Sequence, residues 1–232
     1  MGKFADKMLN YFIQKNSQIG MKLASAFGAD INTQDENGRT ALMLAKNAET
    51  ARTLIEAGAD VNAKDWYSQT PLMFASMRDY GDSGLAELIK AGADINAQDE
   101  YGRTALMHAK NVETAQALIE SGADVNAKDV EGITALMWAT QKGELKKVQA
   151  LIEAGADINT KDENGKTALD FAQIKREKAV ESLLLETVKK QQQSSLKDVL
   201  KQSEQTYTLT DKAKDDISIS VVNAHLAKKA GR

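Results

Sequence analysis

The chain has 232 residues, of which 42% are hydrophobic, and it carries a single proline and a net charge of −3. This composition is typical of a soluble, helix-rich protein of one or two domains, and the small net charge provides no overall field that would favour nucleic acid or an anionic membrane. The absence of cysteine excludes disulfides, thiol catalysis and cysteine-ligated metals.

The N-terminal segment reads MGKFADKMLNYFIQKNSQ. Polar residues, including Asp6 and Asn10, interrupt its apolar positions, so the segment does not fit a secretory signal. Asp6 also occupies the position where a myristoylation motif requires Ser or Thr. No apolar run in the chain approaches the ~20 residues needed to span a bilayer. We therefore expect a cytoplasmic protein, or one exported by a route that needs no such signal.

A tripeptide, Gly-Ala-Asp, recurs through most of the chain. Its copies begin at Gly28, Gly58, Gly92, Gly122 and Gly155, at intervals of 30, 34, 30 and 33 residues. Between copies the order is an Asp-x-x-Gly-x-Thr-Ala-Leu frame with small variations, then an apolar Leu-Ile pair, then Gly-Ala-Asp-(Val/Ile)-Asn. A fixed period of this length predicts an array of structural repeats.

Each part of the repeated unit has a physical role. The threonines are expected to be helix N-caps, whose hydroxyls accept from orphan amides of the first turn. They are Thr40, Thr70, Thr104, Thr134 and Thr167. Pro71 follows one of them at the first helical position, where proline is tolerated. The glycine of Gly-Ala-Asp suits the left-handed residue that ends a helix. One such unit of turn, helix, helix and loop cannot bury its apolar face alone, but stacked units share a core.

The frame Thr70-Pro71-Leu72 and the five copies of Gly-Ala-Asp-(Val/Ile)-Asn resemble the ankyrin repeat family over about residues 9–187. The resemblance implies an all-α solenoid of stacked helix pairs with β-turn fingers. The expected ankyrin repeat domain, residues 1–187, comprises an N-terminal cap at 1–34 with two helices in 3–27, repeats at 35–64, 65–98, 99–128 and 129–161, and a C-terminal capping repeat at 162–187.

The chain departs from the family pattern in three ways, the first being that four of the five copies have Ala in place of the Pro found at Pro71. Where the family usually has His, this chain has Met43, Met73, Met107 and Met137, which we expect to be core. The repeats that begin at Asp35 and Asp99 are also only 30 residues long. They lack about one helical turn, which we place around Lys46-Asn47 and Lys110-Asn111, and this predicts an uneven ridge.

The C-terminal extension, residues 188–232, has nine basic and five acidic side chains, against 21 and 28 in residues 1–187. We expect a helix at 196–205 and a second at about 211–229, although 217–222 alternates like a strand. Two interpretations stay open: a helical cap or extra domain docked on the last repeat, and a mobile segment that folds on a partner. Nucleic-acid contact is disfavoured because the lysines near residue 212 are interleaved with aspartates.

No combination of residues predicts catalysis. The two histidines, His108 and His225, are far apart in the sequence, and a histidine-based catalytic or metal site needs more than that. The recurring carboxylates fit turns and caps, and no phosphate-binding glycine motif is present. The sequence therefore predicts no enzyme, no catalytic residue, no metal and no cofactor.

The resemblance implies that partners bind the concave face, which the fingers and the first helices line. The matching positions are the two residues after each Asp, the residue before each Thr, and the end of the first helix. Trp, Tyr and Arg dominate binding energy at interfaces, and they concentrate in the middle fingers. The candidate partner-binding residues are Arg39, Trp66, Tyr67, Gln69, Met77, Arg78, Tyr101, Arg103 and Ile133, the last expected to be exposed. The alternative is that Trp66 folds over its own turn or the neighbouring finger.

A second column lies on the first helices and consists of Leu44, Phe74, His108, Trp138 and Phe171. We expect these side chains to pack between repeats, with His108 as a partly buried, hydrogen-bonded ring. The sequence thus predicts a non-enzymatic module that binds a partner protein, as an adaptor with a second partner on the extension. The alternative is an inhibitor, immunity-type or effector protein that blocks one specific target; self-association through the tail is a third hypothesis.

Overall fold

The computed structural model describes residues 28–78 and 84–202, with Met8, Tyr11, Lys15 and Gly20. The two helices expected in 3–27, and the elements expected beyond residue 202, lie outside the described residues. Within the described ranges the chain is helical and has no strand. An isolated antiparallel bridge joins Lys128 and Thr134.

Residues 28–78 and 84–175 contain eight short helices, which are followed by a longer helical segment. They are α1 (Ala48–Glu56), α2 (Pro71–Ser76), α3 (Leu85–Lys90), α4 (Ala105–His108), α5 (Val112–Glu120), α6 (Ala135–Gln141), α7 (Leu145–Glu153) and α8 (Ala168–Lys175). Residues 178–202 are helical as well. The chain divides into two compact units, Met1–Leu184 and Leu185–Arg232. In the second unit, residues 185–202 form helix, and their side chains are mostly exposed.

The first unit is a stack of helix pairs. Its first helices α2, α4, α6 and α8 form one row, in which each contacts the next. The second helices form another row, with α1 against α3 and α5 against α7. A first helix also contacts the second helix of its own repeat in the pairs α2/α3, α4/α5 and α6/α7. This arrangement confirms the expected all-α solenoid.

The core lies between the two rows of helices. The four methionines that follow the Thr-(Ala/Pro)-Leu frame are buried, with exposed fractions of 0 to 7%: Met43, Met73, Met107 and Met137. Two residues further on, small alanines such as Ala75 and Ala139 are buried too, which lets neighbouring first helices approach closely. The methionines are therefore core, as expected.

The two 30-residue repeats have truncated first helices. Residues 41–44 form only turns, and α4 has four residues, against six in α2 and seven in α6. The second helices begin at once, because Asn47 and Asn111 cap α1 and α5 by accepting from Thr50 N–H at 2.8 Å and Thr114 N–H at 2.9 Å. The missing turn thus lies where the sequence placed it.

Truncation also explains which threonines are hydrogen-bonded caps. Thr70, Thr134 and Thr167 accept from the backbone N–H three residues further on. Thr40 and Thr104, in the short repeats, are buried, and their hydroxyls make no hydrogen bond in the described structure. For these two the predicted capping bond was wrong, and in the third repeat the amide three residues after Thr104, that of Met107, donates to the Thr104 carbonyl instead, at 3.1 Å.

Each truncated helix end is covered by a cation from the following repeat. The guanidinium of Arg78 donates to the carbonyls of Ala45 and of Met43, the latter at 3.0 Å. The ammonium of Lys147, which is 6% exposed, donates to the carbonyl of Ala109 at 2.5 Å. Carbonyls at a helix C-terminus lack intrahelical donors and carry partial negative charge, so a cation stabilises them.

A second set of hydrogen bonds joins the loops between repeats. The asparagine of each Gly-Ala-Asp-(Val/Ile)-Asn segment donates to the glycine carbonyl of the next segment and accepts from its aspartate N–H. Asn96 shows the pattern, with bonds to Gly122 at 3.2 Å and from Asp124 at 2.8 Å. Asn32, Asn62 and Asn126 repeat it. The motif therefore locks the spacing between repeats and leaves the fingers as the variable surface.

Candidate partner-binding face

Five turns, here called fingers 1 to 5, project between the repeats. They span residues 35–39, 65–69, 99–103, 129–133 and 162–166. In each, the first carboxylate oxygen (Oδ1) of the leading Asp accepts from the backbone N–H groups two and four residues further on, at 2.7 to 3.0 Å. The recurring aspartates are thus turn-forming groups, and each finger has a defined conformation before any partner arrives.

The fingers are also bonded to one another. The N–H of the residue after each Asp donates to a carbonyl of the preceding finger. These bonds run from Trp66 to Asn37 at 3.3 Å, and from Glu100 to Tyr67, Val130 to Tyr101 and Glu163 to Glu131 at 2.9 Å each. The row of tips is therefore a preorganised surface, which loses little entropy on binding.

Three aromatic side chains are exposed on fingers 2 and 3. The exposed fractions are 71% for Trp66, 52% for Tyr67 and 46% for Tyr101. Trp66 also contacts the neighbouring finger, because its Cδ1 lies 1.9 Å from the point that a Cβ on Gly38 would occupy. The two interpretations of Trp66 therefore coexist: part of the indole rests on finger 1, and the greater part of its surface faces solvent.

Finger 2 is strained where the other fingers are not. Fingers 1, 3, 4 and 5 each have glycine at the fourth position, with φ between 74° and 77°. Finger 2 has Ser68 there, with φ 59°. A left-handed residue other than glycine costs roughly 1–2 kcal/mol. Such strain in the finger that carries Trp66 and Tyr67 is a common mark of a functional position.

Arg39 and Arg103 occupy equivalent positions but differ in their contacts. Arg39 binds the second carboxylate oxygen (Oδ2) of Asp35, with 2.9 Å from Nε and 2.8 Å from Nη2. Burial opposes ionisation of Asp35, but the bonds from Arg39 and from backbone N–H groups outweigh it, so the pKa of this carboxyl lies below its ordinary value. Arg103 instead lies over two rings, 5.0 Å from the centroid of Tyr101 and 5.1 Å from that of Trp138.

His108 and Trp138 account for this difference. The Nε2 of His108 lies 3.0 Å from Oδ2 of Asp99, and Nε1 of Trp138 donates to Oδ2 of Asp129 at 3.2 Å. The His108 side chain is 14% exposed, and burial lowers its pKa despite the neighbouring Asp99. A neutral ring that donates from Nε2 fits this geometry. The expected partly buried, hydrogen-bonded histidine is therefore found.

One expectation for the finger residues needs correction. Ile133 was expected to be exposed but is only 4% exposed. Its N–H binds Oδ1 of Asp129, and its carbonyl accepts from the Asp129 N–H, so the residue before each Thr closes the base of a finger. Gln69, at the same position, is half-buried, and its contact with a partner stays a prediction. The tip consists only of the two residues after Asp.

Arg78 and Met77 follow the first helix of the second repeat. Met77 is 38% exposed and remains a surface residue. Arg78 is partly buried, burial lowers its pKa, and its guanidinium is engaged by the carbonyls of the preceding repeat. The structure thus gives Arg78 a role within the stack, and its contact with a partner stays a prediction.

The described side chains of the fingers form a contact surface rather than a cluster of reactive groups. Within the described residues no group of three or more His, Asp or Glu side chains is arranged to hold a metal ion. The leading aspartates of the fingers are hydrogen-bonded within their turns, and His108, on α4, is paired with Asp99 of finger 3. What the row of fingers offers is a rigid, partly aromatic surface.

A family model of ankyrin repeats, three copies long, matches residues 3–65, 66–129 and 110–194. The chain belongs to the ankyrin repeat family. Among solved structures, it is similar to a crystal structure of an ankyrin repeat domain from Acinetobacter baumannii AYE, with 36% identity over 76% of this chain and 95% of that one and a TM-score of 0.68. No curated protein matches the chain.

Ankyrin repeats are generally protein–protein interaction modules and generally non-enzymatic. In this ankyrin repeat protein, two sets of groups were not assigned a role from the sequence: the asparagines that join the loops between repeats, and the side chains that donate to Oδ2 of the finger aspartates. The asparagines could have been found from their recurrence, whereas the Oδ2 donors share no residue type. Within the described part of the chain, no helix has the length and apolar character required to span a membrane.

Proposed function

We propose that this chain binds a partner protein, without catalysis, through the row of fingers and the first helices beside it. One observation carries the proposal: three exposed aromatics lie on adjacent fingers that are hydrogen-bonded to each other. Exposed aromatic groups on a preorganised surface are typical of interaction sites, and Trp and Tyr supply large contact areas for little lost entropy.

The aromatic patch, defined as Trp66, Tyr67 and Tyr101, supplies the apolar anchors. The neighbouring Glu100 carboxylate raises the pKa of the Tyr101 phenol. Arg103, stacked on Tyr101, adds a cation next to the patch. Arg39 contributes less than its type suggests, because Asp35 already binds it.

The test is affinity capture with mass spectrometry, using the full chain and the double variant Trp66→Ala/Tyr67→Ala. The matched control is Glu163→Ala/Asn164→Ala, which changes the same two positions of finger 5. We expect the aromatic variant to lose a partner that the control retains, because truncating a true anchor costs on the order of 2 kcal/mol or more of binding. Equal capture by both variants would contradict the proposal.

A second partner on the extension is supported by three exposed apolar residues, Leu196, Val199 and Leu200, at helical spacing. We place the boundary of the extension at residue 188 on the basis of charge. An adaptor predicts that a chain ending at Glu186 loses one partner and keeps the other. An inhibitor or effector predicts one tight partner, whose activity falls on binding.

A further inference from the structure

The short third repeat creates a recess beside the fingers. Its first helix, α4, ends at His108, while the first helices on either side, α2 and α6, are longer. Residues of these three repeats line a recess of about 440 Å³, here called the notch, with Arg103 and His108 among them. This volume lies within the range of small binding pockets, about 300–1,000 Å³.

The polar lining of the notch is mainly cationic. Arg103, Lys110 and Lys142 contribute three positive charges, and Glu144 is the lining carboxylate. Glu144 is already paired with the buried ammonium of Lys147 at 2.6 Å. His108 adds no charge near neutral pH, since burial lowers its pKa. A positive recess in a chain of net charge −3 is a local feature that bulk composition does not reveal.

Arg103 is the group best placed to recognise an anion. Its position over Tyr101 and Trp138 orients the guanidinium plane. Its Nε is buried and makes no hydrogen bond within the described part of the chain. A buried donor without a partner is costly, and a guanidinium in this state matches the geometry of a carboxylate.

The remaining lining is apolar and consists of Met77, Met107 and Trp138. Methionine adapts its shape to different apolar side chains. An occupant should therefore present one carboxylate with an apolar side chain next to it. A polyanion fits poorly, because the finger tips carry Glu36, Glu100, Glu131 and Glu163, which would repel a phosphate backbone.

We infer that the notch receives an acidic side chain, Asp or Glu, with an apolar neighbour, from an extended segment of the protein partner. The carboxylate pairs with Arg103, the lysines at the rim attract it, and the apolar side chain packs on Trp138 and the methionines. This inference rests on the proposed binding function, since it names the kind of segment that the face recognises.

The test begins with a random 12-residue peptide library displayed on phage and selected on the full chain. We expect enriched peptides to share an acidic residue next to an apolar one. Affinity is then measured by the fluorescence of Trp138 in the variant Trp66→Phe, where it is the remaining tryptophan of two. Replacing the acidic residue by its amide should weaken binding at least about tenfold.

Variants of the notch provide the second arm. Arg103→Lys keeps the charge but loses the planar fork, and we expect about tenfold weaker binding. Lys142→Gln should weaken it about threefold, as for an exposed ion pair. Lys64→Gln removes the same charge from an exposed site outside the notch and should leave affinity unchanged. Thermal unfolding of each variant checks that the fold is intact.

Three outcomes would overturn the inference: no enriched peptide, enriched peptides that bind equally well as amides, or equal affinities for Lys142→Gln and Lys64→Gln. A failure of this inference can be distinguished from a failure of the proposed function. If peptides lose binding in Trp66→Ala/Tyr67→Ala but not in the notch variants, partner binding by the fingers stands and the notch has no part in it.

Discussion

The two short repeats, residues 35–64 and 99–128, are identical at 24 of their 30 positions, yet the arginines of their fingers make different contacts. In the first, Leu44 cannot donate a hydrogen bond, and Arg39 binds Oδ2 of the finger aspartate. In the second, His108 takes that oxygen, and the equivalent Arg103 stacks on aromatic rings. The residue nine positions after the aspartate, together with the rings of Tyr101 and Trp138, thus distinguishes an arginine bound within its turn from one stacked beside it.

The two truncated helix ends make a related point. At each end the carbonyl of a buried alanine, Ala45 or Ala109, accepts from a cation of the next repeat. The cation is Arg78, after a first helix, in one case and Lys147, in a second helix, in the other. Since the shared requirement is positive charge at a carbonyl, two different positions satisfy it, and the repeat pattern does not predict either.

The largest expected loss of stability is at the helix end in the third repeat, where Lys147 covers the Ala109 carbonyl. Lys147→Met keeps the buried stem but leaves the Ala109 carbonyl and the Glu144 carboxylate without their cation, and we expect a loss of about 3 kcal/mol of unfolding free energy. Urea denaturation of the full chain measures it. The neighbouring exposed Lys146→Met is the control and should change stability by less than about 0.5 kcal/mol. Equal losses would refute a specific role for Lys147.

A smaller loss is expected at the first end. Arg78→Met removes two hydrogen bonds to carbonyls, but this site is less deeply buried, so we expect a loss of about 1–2 kcal/mol in the same assay. Arg52→Met is the comparison, because Arg52 is 64% exposed in a surface ion pair with Glu87. That change should cost no more than about 1 kcal/mol. If Arg52 proved the more important, the carbonyl contacts of Arg78 would be incidental.

We expect that single substitutions can exchange the contacts of Arg39 and Arg103. In His108→Leu, Oδ2 of Asp99 loses its donor, and we expect Arg103 to leave the rings and bind it, as Arg39 binds Asp35. The reciprocal Leu44→His should release Arg39. Crystal structures of both variants would show the arginine positions, with stability changes of about 1 kcal/mol or less. An Arg103 that stayed over Trp138 in His108→Leu would show that the rings, rather than the missing bond, hold it.

The smallest expected effect is a pH dependence that distinguishes the two repeats. Burial lowers the pKa of His108 in the folded state, so the unfolded chain binds the proton more readily. The stability associated with a neutral His108 is present above about pH 6.5 and is lost as the pH falls below it. His108→Phe, which places there the residue type of Phe74 and Phe171, should lose less stability between pH 7 and 5 than the natural chain. His225 is common to both chains and cancels in the difference.

Much of the fold could be predicted because its causes are local. The Gly-Ala-Asp period, the Thr caps of the longer helices and the buried methionines follow from conformational preference and apolar spacing along one unit. The exposure of Trp66, Tyr67 and Tyr101 could also be anticipated, since the two residues after each aspartate lie at a turn tip. Ile133 was misjudged because the position before Thr resembles a tip in the sequence but closes the base of the finger.

The sequence by itself determined the repeat, the order of helices and the type of surface that the middle fingers present. These follow from interactions within about 30 residues, and the period states them several times over. Only the tertiary structure decided which cation covers which carbonyl, which donor satisfies each Oδ2, and how a missing helical turn becomes a charged notch between neighbours. The cations lie 33 and 38 residues along the chain from the alanine carbonyls that they cover. The Oδ2 donors lie only four to nine residues from their aspartates, but neighbouring side chains compete for the same oxygen, and the repeat pattern does not record which of them binds it.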